Sequence, residues 1–235
     1  MQAYFIGTSG WQYPEWLGKF YPEKMRKEAM LPYYAERFNS VEVNYTFNRL
    51  PSEKVLKNWA EQTPKNFRFT LKAHKAITHS KDLNPGDILE KFLNVAKVLG
   101  EQQGLLLFQF PPWLPETIPA FEDFLKRIPD NTRAAFEFRN NSWFCDELYA
   151  LLKKKNLALC AAESEKLKTP PVVTADYGYF RLRLVDYTDD DIAEYAKQIR
   201  NQGLAETYVY FKHEEDGVGP VFAEKLMEKL KSSVD

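Results

Sequence analysis

The chain has 235 residues, 44% hydrophobic and 15% aromatic, with only ten glycines and a net charge of −1. Those values exclude collagen-like, low-complexity and disulfide-scaffold chains, and a core this rich in rings argues against disorder. Near-neutrality argues against coating nucleic acid by bulk charge.

The length suits one large domain and lies in the range of α/β barrels. The N-terminus MQAYFIGTSG carries no basic segment or apolar stretch of a signal peptide. No apolar run reaches the ~18 residues of a spanning helix, so no membrane partner is expected. Cys145 and Cys160 form no C-x-x-C pair. Reduced thiols and a cytoplasmic location are therefore expected.

Strand signals occur in order at Tyr4–Thr8, Ser40–Asn44, Arg68–Ala73, Gly104–Phe110, Arg133–Arg139, Ala158–Glu163, Tyr179–Arg183 and Thr207–Lys212. Helical periodicity fills the gaps at Lys24–Phe38, Glu53–Gln62, Asp87–Leu99, Glu116–Arg127, Cys145–Lys155, Asp189–Asn201 and Pro220–Leu230. Asp87 with Glu90 and Thr188 with Asp191 read as helix N-caps with an acid three residues on. Glu165–Asp176, with Pro170-Pro171, reads as an irregular crossover. Strict alternation implies parallel pairing. Eight strands predict a single (β/α)8 TIM barrel spanning residues 1–235. A doubly wound sheet is the competitor, but Gly7-Thr8-Ser9-Gly10-Trp11 is a poor phosphate loop.

Side chains alternate along a strand, so each strand separates a helix-facing phase from an inward one. Phe69, Leu71, Phe136, Phe138, Phe180, Leu182, Val209 and Phe211 share the apolar phase. The opposite phase carries Glu42, Asn44, Lys72, His74, Glu137, Arg139, Arg181, Arg183, Tyr210 and Lys212, and Gln109 and Glu163 close the fourth and sixth strands. Most lie toward strand C-termini, where barrel sites are built. Two readings remain open: a buried plug of ion pairs, or a site whose net positive charge suits a phosphate or carboxylate.

Glu42 and Glu137 are the candidate acid and base, and Lys72 is an electrostatic clamp, a lowered-pKa amine or an ion-pair partner of either glutamate. Thr8 and Ser9 after the first strand would offer a hydroxyl and amides to a ligand oxygen. Gly217-Val218-Gly219-Pro220 would hold a phosphate at the last helix or be a plain turn. No cofactor is called for. An oxygen-rich divalent site at Glu42, Glu137 and Glu163 is conceivable, opposed by its basic neighbours. His79 and His213 read as loop histidines. Trp11, Tyr13, Tyr45, Phe47, Trp113, Trp143 and Phe144 fall just past strand ends and would wall the mouth.

These residues carry a resemblance. Gly7-Thr8-Ser9-Gly10-Trp11 with Phe20-Tyr21-Pro22, Phe38-Asn39-Ser40-Val41-Glu42-Val43-Asn44, Leu107-Phe108-Gln109-Phe110-Pro111-Pro112 and Phe136-Glu137-Phe138-Arg139 with Ser142-Trp143-Phe144 resemble the DUF72 (YecE-like) proteins. The likeness runs nearly end to end and implies a TIM barrel but no established reaction. Likeness to endonuclease IV and sugar isomerases is analogy of fold alone. Arg183 stands where many members have histidine, and Lys212-His213-Glu214-Glu215-Asp216 replaces an asparagine-rich loop.

The leading expectation is an enzyme acting on a small anionic molecule. Alternatives are nucleic-acid binding or phosphodiester cleavage with Trp11, Trp113 and Trp143 as stacking rings, glycan hydrolysis by paired carboxylates, and a non-catalytic ligand sensor.

Overall fold

The computed structural model describes residues 2–164, 167–212 and 217–231. His213 and the rest of 213–216, and Glu165 with Lys166, lie outside the described residues. The chain alternates strands and helices. β1 is Ala3–Thr8, α1 Lys27–Ala35, β2 Ser40–Val43, α2 Glu53–Glu61, β3 Arg68–Lys72 and α3 Lys75–Thr78. Then come α4 Ile88–Ala96, β4 Gln103–Phe110, α5 Ile118–Lys126, β5 Ala134–Phe138 and α6 Asp146–Lys154. β6 Ala158–Leu159, β7 Ala161–Ser164, β8 Leu167–Lys168, β9 Tyr177–Leu182, α7 Asp189–Asn201, β10 Glu206–Phe211 and α8 Val218–Lys231 complete it.

The strands form two five-stranded sheets, ordered β1-β10-β9-β7-β8 and β2-β3-β4-β5-β6. All ladders are parallel except β7 with β8. All eight expected strands are present. The sixth is divided at Cys160, whose amide still donates to the Phe136 carbonyl. Its two halves belong to different sheets, β6 on β5 and β7 on β9. The other edges meet at a single parallel bridge between Ser9 and Glu42.

Part of the expected crossover is instead β8, folded antiparallel onto β7 through Glu163 and Lys168. The short helix α3 was not anticipated; His74 starts it, accepting at Nδ1 from the Ala76 amide.

Residue alternation sorts the core into two clusters. Leu106, Phe108, Phe110, Phe136, Phe138, Phe180, Val209 and Phe211 join the larger one, which includes buried side chains of the helices. Leu105, Leu107, Ala135, Cys160, Tyr179, Tyr208 and Tyr210 form a second, separate cluster. It draws on strands of both sheets, so the sheets share an inner apolar face as well as an outer one.

Close approach of β1 to β2 requires Gly7. A methyl group there would fall 2.0 Å from the Ser40 carbonyl oxygen and 2.5 Å from the Tyr34 hydroxyl.

The caps divide. Thr188 accepts from the Asp191 amide and the Asp191 carboxylate accepts from the Thr188 amide, a complete capping box. Asp87 makes no side-chain cap bond. Its own backbone is helical, at φ −77 and ψ −11, not the extended geometry of an N-cap. Thr188→Ala is expected to lower stability by about 1 kcal/mol, read from the urea midpoint. Asp87→Ala should leave that midpoint unchanged.

Candidate functional site

The two sheets are joined by charge. Arg181 on β9 is 1% exposed and reaches across to β2 and β5 of the other sheet. Its Nε donates to Glu42 Oε2 at 2.8 Å and its Nη2 to Glu42 Oε1 at 2.7 Å, a bidentate pair. Its Nη1 donates to Glu137 Oε2. Glu42 also accepts from Ser9 Oγ at 2.6 Å, Tyr179 OH at 2.6 Å and Asn44 Nδ2 at 3.2 Å. Glu137 is held further by Arg139 Nε at 2.9 Å and faces Arg183 Nη2 at 3.3 Å. The strand phases place these groups on one face because each sits an even number of residues from its inward neighbours.

Electrostatics set the protonation states. Burial would raise the carboxyl pKa of Glu42, but the Arg181 charge and the bonds from Arg181, Ser9 and Tyr179 outweigh it and hold it below the usual range. Burial likewise opposes the charge of Glu137, and Arg181, Arg139 and Arg183 together drive its pKa far down. Burial pushes Tyr179 well up, so its phenol stays a donor. Glu42 and Glu137 are thus ionised, fully buried and occupied. An ionised carboxylate has no proton to give, so neither is set up as the general acid.

Lys72 is different. It is 8% exposed, and neither glutamate pairs with it. Its Nζ stands 4.2 Å from the centre of the Phe47 ring. Burial first, and then the Arg181 charge, bring its pKa down to about 7 against the pull of Glu137 and Glu42. His79, edge-on to Phe47, is also lowered, by burial and by the Lys72 and Arg139 charges.

Other expected site residues fall elsewhere. The Thr8 amide donates to Tyr34 OH, the Ser9 amide to the Phe211 carbonyl and that of Gly10 to the Thr8 carbonyl. The loop amides are therefore engaged within the fold, and Ser9 Oγ serves Glu42. Tyr210 is buried between Ser40 and Thr70, bonded to both hydroxyls. Gln109 is buried and donates to the Phe110 carbonyl. His74 Nε2 meets the Asn48 carbonyl. Glu163 pairs with Lys168 at 2.9 Å, and Lys212 is exposed at the end of β10. Gly217 and Pro220 are buried residues at the start of α8, and with Val218 they line a cleft of about 320 Å³ beside Lys19, Arg37 and Glu224, apart from the Arg181 cluster.

The aromatic wall is smaller than expected. Trp143 is fully buried, stacked on Phe138 with centres 4.7 Å apart, and its Nε1 donates to the Leu114 carbonyl. It belongs to the helix-facing core, because the turn after β5 folds back over that strand. Trp11 is 5% exposed and edge-on to Trp59. Tyr13 is half-buried, its hydroxyl donating to the Ser9 carbonyl. Of the expected stacking rings only Trp113 is open, at 50% exposure. Trp11, Tyr13, Tyr45 and Trp59 line a cleft of about 320 Å³ past the ends of β1 and β2.

A second cleft, of about 370 Å³, is lined by Arg133, Lys155 and Tyr177 near the opposite strand ends. Its cations already pair, Arg133 with Glu206 at 2.9 Å and Lys155 with Asp130 at 2.8 Å. Among the described residues no three histidine, cysteine or acidic side chains converge as metal ligands. No helix among them is long and apolar enough to cross a membrane.

What sequence reading missed was the pairing. Tyr179 and Ser9 as ligands of Glu42 carried no motif. Tyr179 shares the inward phase of Arg181, two residues on, and that was the available signal.

The chain is 30% identical over 155 residues to the UPF0759 protein YunF of Bacillus subtilis (strain 168), covering 62% of this chain and 54% of that protein. It is 31% identical over 142 residues to the UPF0759 protein YecE of Escherichia coli (strain K12), covering 60% and 50%. The chain thus spans about half the length of the curated relatives it matches. A crystal structure of a DUF72 family protein from Thermotoga maritima MSB8 superposes with a TM-score of 0.86 at 24% identity, over 98% of this chain and 100% of that one. That likeness speaks to the fold. The family described as "Protein of unknown function DUF72" matches residues 5–235, and the chain belongs to it.

Proposed function

We propose that the two sheets are the halves of one (β/α)8 barrel, and that its C-terminal mouth binds a small anion as an enzyme does its substrate. Three features support the barrel: the Ser9–Glu42 bridge, the passage of one strand between sheets at Cys160, and the inner apolar cluster. The observation that carries the anion site is a surplus of cations. Glu42 and Glu137 are outnumbered by Arg181, Arg139 and Arg183, with Lys72 beside them. Arg183 Nε is buried with no hydrogen-bond partner among the described residues. A buried surplus charge is unfavourable until an anion neutralises it. Carboxylate or phosphate fits, through charge-assisted bonds from Arg139 and Arg183. The two free cysteines suit a reducing compartment such as the cytoplasm.

Sulfate and phosphate at constant ionic strength are expected to raise the melting temperature more than chloride. At a hundred times the dissociation constant the gain is about 2.7 kcal/mol. Arg139→Met should abolish it. No anion-specific shift, or an equal shift in that variant, would overturn the reading.

A further inference from the structure

Lys72 is the odd member of the basic cluster. It ends β3 on the inner phase, and the next amide, of Ala73, is bonded to the Leu107 carbonyl of β4. Arg181, Arg139 and Arg183 each hold a carboxylate oxygen. Among the described residues no carboxylate lies within ion-pair distance of the Lys72 amine. The two that would keep it charged are already engaged. Glu42 takes bonds from Arg181, Ser9, Tyr179 and Asn44, and Glu137 from Arg181 and Arg139. The Phe47 ring lies over the nitrogen, its centre 4.2 Å away.

A lysine kept solely as an anion clamp gains nothing from burial beside guanidinium groups, which weakens its charge. A lysine that must be an amine gains from both. Burial and the Arg181 charge lower its pKa to about 7, so the neutral amine is well populated near neutrality. A desolvated amine next to cations is an activated nucleophile toward carbonyl carbon.

We propose that Lys72 forms an imine with a small 2-oxo acid whose carboxylate is held by Arg139 and Arg183. This rests on the anion-site reading above and adds the substrate class. The amine lone pair attacks the carbonyl carbon, a C–N bond forms, and the C=O π pair moves to oxygen. That oxygen takes up protons, one of them from the nitrogen, and leaves as water, giving C=N. No oxidant or reductant is required. The glutamates do not supply the protons; solvent water at the mouth does.

The test is reductive trapping. The protein is incubated with glyoxylate and cyanoborohydride near pH 7, and adducts are located by peptide mass mapping. An exposed lysine has a pKa near 10.4, so its amine fraction at pH 7 is below about one in a thousand. Lys72 should therefore label at least about tenfold faster than any exposed lysine. Neutral glycolaldehyde should label it several-fold more slowly than glyoxylate. Lys72→Met should lose the dominant adduct. Labelling of Lys72 no faster than that of exposed lysines overturns the imine chemistry. The sulfate-dependent melting shift, measured on the same preparation, separates the two readings. A shift with no preferential labelling leaves the anion site and removes the imine. Equal labelling by glyoxylate and glycolaldehyde with no shift overturns the anion site and the 2-oxo acid assignment together.

Discussion

Replacing Arg181 with methionine should destabilise the protein by about 3–5 kcal/mol at pH 7. Arg181 is 1% exposed and donates to two carboxylates that are themselves 0% exposed. The substitution keeps much of the volume and removes the charge. Two ionised carboxylates would remain in the interior without their main counter-charge. Ser9, Tyr179 and Asn44 would still serve Glu42, and Arg139 and Arg183 would still face Glu137. Glu42 therefore loses more than Glu137. Adding Glu42→Gln to Arg181→Met should recover part of the loss, since a neutral amide is less costly to bury than an unpaired ion. Urea unfolding of the single and double variants measures both effects. A loss under about 1 kcal/mol in the single variant would mean that the network contributes nothing beyond its packing.

Acid should unfold this protein steeply. Glu42 and Glu137 both have folded pKa values depressed below that of an ordinary carboxylate. Above about pH 4.3 both groups are ionised folded and unfolded, so the full stabilisation is present. As pH falls below that value the unfolded chain takes up protons that the folded one refuses. Stability then drops by up to about 1.4 kcal/mol per pH unit for each such carboxylate. The decline ends for each group only as pH passes through its folded pKa, and for Glu137 that point is lower than the range in which most domains remain folded. Urea midpoints from pH 6 down to pH 3 would show the slope. Arg181→Met supplies the control. Without the arginine, burial dominates at Glu42 and favours its protonated form, so the penalty of the variant should be smaller at pH 4 than at pH 7. A penalty independent of pH would sink the account.

The eight strands were legible because strand phase is a local property. Phe136 and Phe138 alternate with Glu137 in the sequence, and the structure puts the rings in the helix-facing core and the carboxylate on the inner face. The α7 cap was legible for the same reason, since Thr188 and Asp191 need only each other. Asp87 and Glu90 had the same spacing of acceptor and acid and no cap, because the chain enters α4 already helical. The expected ring of mouth aromatics depended on how turns fold back, and Trp143 shows that this was not legible. Nothing in Ser142-Trp143-Phe144 tells whether the indole faces solvent or lies on Phe138.

The sequence by itself determined which side chains share a face, since alternation is imposed by backbone geometry at each residue. It therefore placed Glu42, Lys72, Glu137, Arg139, Arg181 and Arg183 together. Only the tertiary structure decided who pairs with whom. Arg181 reaches Glu42 across 139 positions of chain, and Glu137 across 44. Such partners are chosen by the relative placement of whole sheets, over distances at which sequence spacing carries no geometric information. That choice bound both candidate acid/base carboxylates to Arg181 and left Lys72 as the amine without a carboxylate.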